Sequence, residues 1–314
     1  VKSLLIACAG AFVPLVLGAI LYMSFYGFSA VGTEEFYHAV FIGVILTATS
    51  VSITVQALKE LGKLKTEVGT TILNAAIIDD VIGIIVLTVV IGFKDPTSNP
   101  LKVAASTILF FALAIVLGFL CFKLFTRMNS VFPHTRRLPI LGLALCFGLS
   151  YISEKYFGIA DITGAYGAGV ILCSLDSSDY IEEKMDISSY MIFGPIFFAS
   201  IGLKTTLSGM NEKFVLFAIC FVIVGLAAKI IGCGLMSKGC GCTWGDSLKI
   251  GVGMMTRGEV CLIVAQKGLN AGFLSGDFFS AVILLILFSS IATPIMLKIL
   301  YAKMPTAKDS AKAS

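Results

Sequence analysis

Apolar stretches of about 20 residues recur along the whole chain, separated by short polar loops. A helix rises about 1.5 Å per residue, so about 20 residues cross the roughly 30 Å hydrocarbon core of a bilayer. Ten stretches meet this condition: 3–25, 36–58, 68–93, 101–125, 138–154, 157–175, 187–207, 214–236, 247–270 and 277–300. They predict an all-α polytopic membrane protein of about ten transmembrane helices. No small-residue cleavage site follows the first stretch, so it is expected to be a membrane helix and not a signal peptide. The chain begins with Val1, not Met, and upstream helices are expected to be missing.

Composition agrees with this pattern. Hydrophobic residues make up 57% of the chain and charged residues 13%, with a mean hydropathy of +0.97. That leaves too little polar surface for a soluble domain of this length. The net charge of +4 is scattered over loops and forms no basic stripe, which excludes nucleic acid as a partner. One alternating set of loops is richer in cations, from Lys59, Lys63 and Lys65, through Lys123, Arg127, Arg136 and Arg137, to Lys184, Lys238, Lys249 and the tail. That bias places the richer set, and both ends of this chain, in the cytoplasm of a cell with an inner membrane. The nine cysteines mostly lie in apolar runs and read as small packing residues. Cys240-Gly-Cys242 is too tightly spaced for an easy disulfide or a metal site. No cofactor is expected, and nothing points to an enzyme.

Two stretches are interrupted at membrane depth. The second carries Thr47-Ala-Thr49-Ser50 followed by Val51-Ser52-Ile53-Thr54; the ninth carries Gly251, Gly253 and Thr256-Arg257-Gly258-Glu259. Paired interruptions in two halves of a chain are a sequence pointer to a transport site. Stretches one to three and eight to ten form triplets with the interrupted member in the centre. They are offset by seven crossings, an odd number, so the triplets are expected to be inverted relative to each other. The expected organisation is a first triplet at 1–93, linking and scaffold helices at 94–212, a second triplet at 213–300 and a disordered cytoplasmic tail at 301–314.

The candidate chemistry centres on Asp79-Asp80, set within Asn74-Ala-Ala-Ile-Ile-Asp79-Asp80-Val-Ile-Gly83. An ionised carboxylate at a helix centre costs at least about 2.5–3.5 kcal/mol on lenient insertion scales, so intramembrane acids face water, a cation or a base. Adjacent helical residues point about 100° apart, so one carboxylate can face an aqueous cavity while the other faces a neighbouring helix. Burial and mutual repulsion favour proton uptake by one of them. A group that holds either a proton or a hard cation, with access alternating between the two sides, performs antiport. Lys229, in Gly225-Leu-Ala-Ala-Lys229-Ile-Ile-Gly232, is too deep to reach the interface easily and needs an anionic partner, for which Asp79 or Asp80 is the obvious choice. Thr49 and Ser50 offer hydroxyl and carbonyl oxygens to a cation beside Asp80. Arg257 and Glu259 are candidates for neutralising exposed helix ends, and a break at Gly258 would let them pair. Asp161, which opens the small-residue run Ile162 to Gly169, reads as a solvated acid at a helix N-terminus.

These motifs resemble those of the cation:proton antiporter-2 family, which comprises bacterial sodium/proton antiporters and the related Kef-type exchangers. The resemblance is carried in order by Thr47–Thr54, Asn74–Gly83, Ile162–Gly169, Gly194–Gly202 and Met255–Val260. It implies a core domain with two crossing broken helices that moves against a scaffold, as a homodimer in the lipid bilayer. It further implies that Asp80 is the main sodium and proton site and that Asp79 pairs with Lys229. A double aspartate resembles the electrogenic sodium (or lithium)/proton type, whereas Kef-type potassium exchangers often carry an amide at the first position. A cation channel and an intramembrane aspartyl protease are the alternatives from other classes. The first is disfavoured by the fixed cation Lys229. The second is disfavoured because both acids lie on one helix, with no Gly-x-Gly-Asp context.

Overall fold

The computed structural model describes residues 1–92, 100–131, 135–157, 161–193 and 211–304, together with 195, 196, 199 and 203. The elements among these residues are helical: α1 Lys2–Tyr26, α2 Glu34–Thr47, α3 Val51–Glu60, α4 Glu67–Gly92, α5 Pro100–Val131, α6 Arg137–Phe157, α7 Asp161–Cys173, α8 Ser178–Ser188, a π turn at Ser189–Phe193, α9 Glu212–Gly239, α10 Trp244–Gly253, α11 Glu259–Asn270 and α12 Gly276–Lys303. Seven spans among the described residues are long and apolar enough to cross a membrane, with 34–60 taken as one span.

The other predicted stretches fared differently. The sixth, 157–175, contains α7, which is shorter than a full span. The ninth divides into α10 and α11. The seventh, 187–207, is described only over 187–193 and at 195, 196, 199 and 203; most of the Gly194–Gly202 motif and residues 305–314 of the tail lie outside the described residues. The acidic segment 176–186, read as a loop, is mostly the helix α8.

The chain divides into two compact units, Val1–Val86 with Thr205–Ser314, and Leu87–Lys204. In the second unit, Phe125, Leu138, Leu175 and Ile181 form one small core, and Leu149, Ala168 and Ile171 form another. In the first unit α1 packs against α2 and α9. Gly43 of α2 meets the backbone of Leu15 so closely that a Cβ there would clash with the Leu15 carbonyl. Near one end of α1, Tyr22 and Tyr26 join Phe217 and Phe278 in an aromatic cluster. Near the other, Ile6 belongs to a core that includes Leu58, Ile72, Val252, Leu297 and Tyr301.

Lys249 corrects the sequence reading. It was expected in a loop, but it lies on α10 at 1% exposure, 3.2 Å from Asp246 Oδ1 and 4.8 Å from the centre of the Tyr301 ring. A carboxylate three residues earlier on the helix and an aromatic face together replace water around the ammonium group.

Candidate functional site

The sequence around residues 47–50 does not sustain a helix. Hydroxyl side chains compete with the backbone for hydrogen bonds, and Thr47 Oγ1 donates to the Val44 carbonyl, 2.7 Å away. Ala48 and Ser50 take extended conformations, which ends α2 and starts α3. A second interruption, 254–258, separates α10 from α11. Each interruption frees backbone groups that a continuous helix would pair, and burial makes leaving them unpaired costly.

The two interruptions satisfy each other. The Ser50 N–H donates to the Thr256 carbonyl at 2.8 Å. Thr54 Oγ1 donates to the Gly253 carbonyl at 2.8 Å and lies 2.9 Å from Thr256 Oγ1. Gly258 sits directly against Ser50, and a Cβ on Gly258 would lie 2.6 Å from Ser50 Oγ. Only a residue without a side chain allows this approach.

Arg257 is fully buried, and its guanidinium bridges two helices. Nη1 donates to the Ala48 carbonyl at 2.6 Å, and Nη2 to the Gly225 carbonyl at 3.1 Å. The first contact caps the C-terminal end of α2 with positive charge, where the helix dipole is negative. The expected pairing of Arg257 with Glu259 is not formed. Glu259 is the first residue of α11 and is exposed, as suits an acid at a helix N-terminus, while the arginine fork is occupied by carbonyls.

The acidic pair divides sharply. Asp79 is 2% exposed, and its Oδ2 accepts from both Lys229 Nζ and Thr49 Oγ1, each at 2.7 Å. Lys229 is itself fully buried, so this is a desolvated ion pair with a hydroxyl donor completing it. Asp80 is only partly buried and forms no ion pair among the described residues; its Oδ1 is enclosed without a hydrogen-bond partner. Gly10 of α1 lies beside the pair: a Cβ there would be 3.5 Å from Lys229 Nζ and 3.8 Å from Asp79 Oδ1.

Of the residues singled out from sequence, Asp79, Lys229 and Thr49 come together at one oxygen. Thr49 was expected beside Asp80, but its hydroxyl is directed at Asp79. Ser50 is buried at the junction of the interruptions, and its hydroxyl has no partner. Asp161 is the first residue of α7, where an acid was expected. Thr54, Thr256 and Gly225, which lie in the runs noted from sequence but were given no role of their own, also belong to this constellation, as do the unanticipated Ser289 and Ser290. The signal available for the last two was a Ser-Ser step inside an apolar run, followed four residues later by Pro294. A narrow gap beside the constellation is lined by Thr49, Ser50, Thr54, Leu64, Ile72 and Gly253.

Comparison with known proteins gives a consistent match. Residues 1–303 fit the family described as sodium/hydrogen exchanger, transmembrane. The chain is 35% identical over 315 residues to the Na(+)/H(+)-K(+) antiporter GerN of Bacillus cereus, with all of this chain and 78% of the relative aligned. It is 38% identical over 262 residues to the probable Na(+)/H(+) antiporter GerT of the same organism, covering 83% of this chain and 69% of the relative. Identity to the high-affinity Na(+)/H(+) antiporter NhaS3 of a Synechocystis strain is 29% over 311 residues, covering 96% and 65%.

Proposed function

The chain belongs to the sodium/hydrogen exchanger family, and from that membership we propose that it exchanges sodium for protons across a cell membrane by alternating access, with Asp80 as the competitive site. The observation that carries the reading is the division of the acidic pair. Asp79 is neutralised by Lys229, whereas Asp80 keeps a carboxylate with no cationic partner at salt-bridge distance among the described residues. A hard monovalent cation is ligated by oxygens, and a carboxylate that ligates it must first lose its proton. Sodium and proton therefore displace each other at Asp80, and neither is carried while the other is bound.

In this scheme Asp79 and the oxygens of Thr49 and Ser50 complete the sodium site when Lys229 releases Asp79. Lys229 holds Asp79 when sodium is absent, so sodium binding separates the pair. When sodium takes Asp79, Lys229 gives up a proton, and it regains one when sodium leaves; with the proton exchanged at Asp80, two protons move per sodium ion, and transport is electrogenic. Arg257 keeps the interruptions in place, with Glu259 at the start of the following half-helix.

The architecture we propose around the site is an inverted repeat. α1 to α4 form one triplet and α9 to α12 the other, each with an interrupted helix at its centre, and the interrupted helices cross at mid-membrane. The linking helices between the triplets serve as scaffold and dimer surface, and both ends of this chain face the cytoplasm. Potassium/proton exchange is a second reading, favoured by the printed name of GerN, which includes potassium.

The test uses purified protein in liposomes with an imposed pH gradient. Sodium, lithium and potassium are added in turn, with and without a clamped membrane voltage. Sodium- or lithium-driven proton movement that responds to voltage is expected. Proton movement driven by potassium alone would favour the second reading.

A further inference from the structure

α12 contains two adjacent serines whose hydroxyls act outside their own helix. Ser289 Oγ accepts the Arg257 N–H at 3.0 Å, and Ser290 Oγ donates to the Arg257 carbonyl at 3.3 Å. Together they replace both backbone hydrogen bonds that Arg257 loses where α10 and α11 are separated. Ser289 is fully buried and also donates to its own Ile286 carbonyl at 3.0 Å, which fixes the direction of its lone pairs. Pro294 has no N–H to give to Ser290, so α12 is locally loosened next to this clamp.

The clamp is the first link of a continuous path to the acidic pair. The Arg257 backbone held by Ser289 and Ser290 carries the guanidinium that bonds to the Ala48 carbonyl. The residue after Ala48 is Thr49, whose hydroxyl donates to Asp79 Oδ2. The other arm of the guanidinium bonds to the Gly225 carbonyl, one helical turn before Lys229, and Lys229 bonds to the same Oδ2. Both partners of Asp79 are thus set from one arginine, and that arginine is set by two serines.

We propose that Ser289 and Ser290 are positioning residues for sodium/proton exchange: by fixing the Arg257 peptide they hold Thr49 and Lys229 on Asp79, and so tune the cation affinity of the neighbouring site. The proposal rests on the reading that this acidic pair is the transport site. A hydroxyl pair on a different helix controls the site although neither serine touches the ion. The net worth of one hydrogen bond corresponds to about a two- to tenfold change in an equilibrium constant, which sets the scale if part of the loss of both reaches the site.

The experiment measures the sodium concentration for half-maximal exchange, and its pH profile, in proteoliposomes. The proteins are the wild type, the double variant S289A/S290A, the conservative S289T/S290T, T49V, and T49V combined with S289A/S290A. If the path operates, S289A/S290A shifts the half-maximal concentration by about two- to tenfold, and S289T/S290T restores it. In the T49V background the serine changes then produce a smaller shift than in the wild type. Three results overturn the proposal: an unchanged half-maximal concentration and pH profile in S289A/S290A, a fall in maximal rate alone, or full additivity with T49V. If S289A/S290A does not yield folded protein, S290A alone is carried through the same comparison, because it removes only the longer of the two bonds. Absence of sodium-dependent exchange in the wild type would instead reject the transport reading.

Discussion

Lys229 places its ammonium nitrogen 2.7 Å from Asp79 Oδ2, and among the described residues no cation lies at that distance from Asp80, the next residue in the chain. Two adjacent acids therefore have opposite electrostatic situations. One is a buried, neutralised pair fixed between α4 and α9. The other is a carboxylate with an enclosed, unpartnered oxygen. A helix supplies this division without further machinery, because neighbouring residues project about 100° apart.

Replacing Lys229 by Gln tests what the pair contributes. Removing one partner of a buried ion pair costs about 3–5 kcal/mol when the other charge remains. The expected outcome is a lower thermal unfolding midpoint in detergent and less charge moved per sodium ion in voltage-clamped liposomes. Unaltered charge per sodium would show that Lys229 is a static strut.

Arg257→Lys addresses the fork between two helices. Lysine keeps the charge, but a single ammonium cannot reproduce the planar geometry that reaches Ala48 and Gly225 together. A lowered unfolding midpoint and weaker apparent sodium affinity are expected. Near-wild-type values of both would mean that charge alone suffices at this position.

Gly258→Ala tests the closeness of the two interruptions. The added methyl would fall 2.6 Å from Ser50 Oγ, so Ser50 or the backbone must shift. Overpacking of this kind costs about 1–3 kcal/mol. Thermal unfolding of the purified variant should show that loss, whereas Gly239→Ala, with open space around the added Cβ, should not lose stability by crowding.

The proposed competition at Asp80 fixes the sign of a pH effect. Lowering the pH adds protons to the carboxylate that sodium requires unprotonated. The sodium concentration for half-maximal exchange must therefore rise as pH falls, with the maximal rate recovered at saturating sodium. Initial rates over a grid of pH and sodium concentration check this. A half-maximal concentration that falls with acidification would exclude a shared site.

Much of this organisation was legible because membranes restrict what a sequence can do. Helical spans such as Lys2–Tyr26 and Glu212–Gly239 follow from apolar length alone. Asp79, Asp80 and Lys229 stood out because charges are rare at that depth. The serines of α12, Ser289 and Ser290, did not, and the partners of Thr49 and Thr54 were not readable, for a physical reason. Serine and threonine in a helix can bond back to their own preceding turn, as Ser24 does to Ile20 and Ser237 to Gly234. Composition cannot separate these from Thr49, Thr54, Ser289 and Ser290, which bond to other segments. Lys249 was misplaced for a related reason: its partner Tyr301 is distant in sequence and became visible only once the helices were packed.

In the proposed exchange, Asp80 is the group over which sodium and proton compete. The most direct measurement is sodium-dependent proton movement in proteoliposomes containing Asp80→Asn, beside the wild type at equal protein content. Asparagine keeps the shape and an oxygen but neither binds the transported proton nor carries the charge. Exchange is expected in the wild type and none in the variant across the whole pH range. Exchange in Asp80→Asn at a rate like that of the wild type, with the same pH dependence, would contradict it.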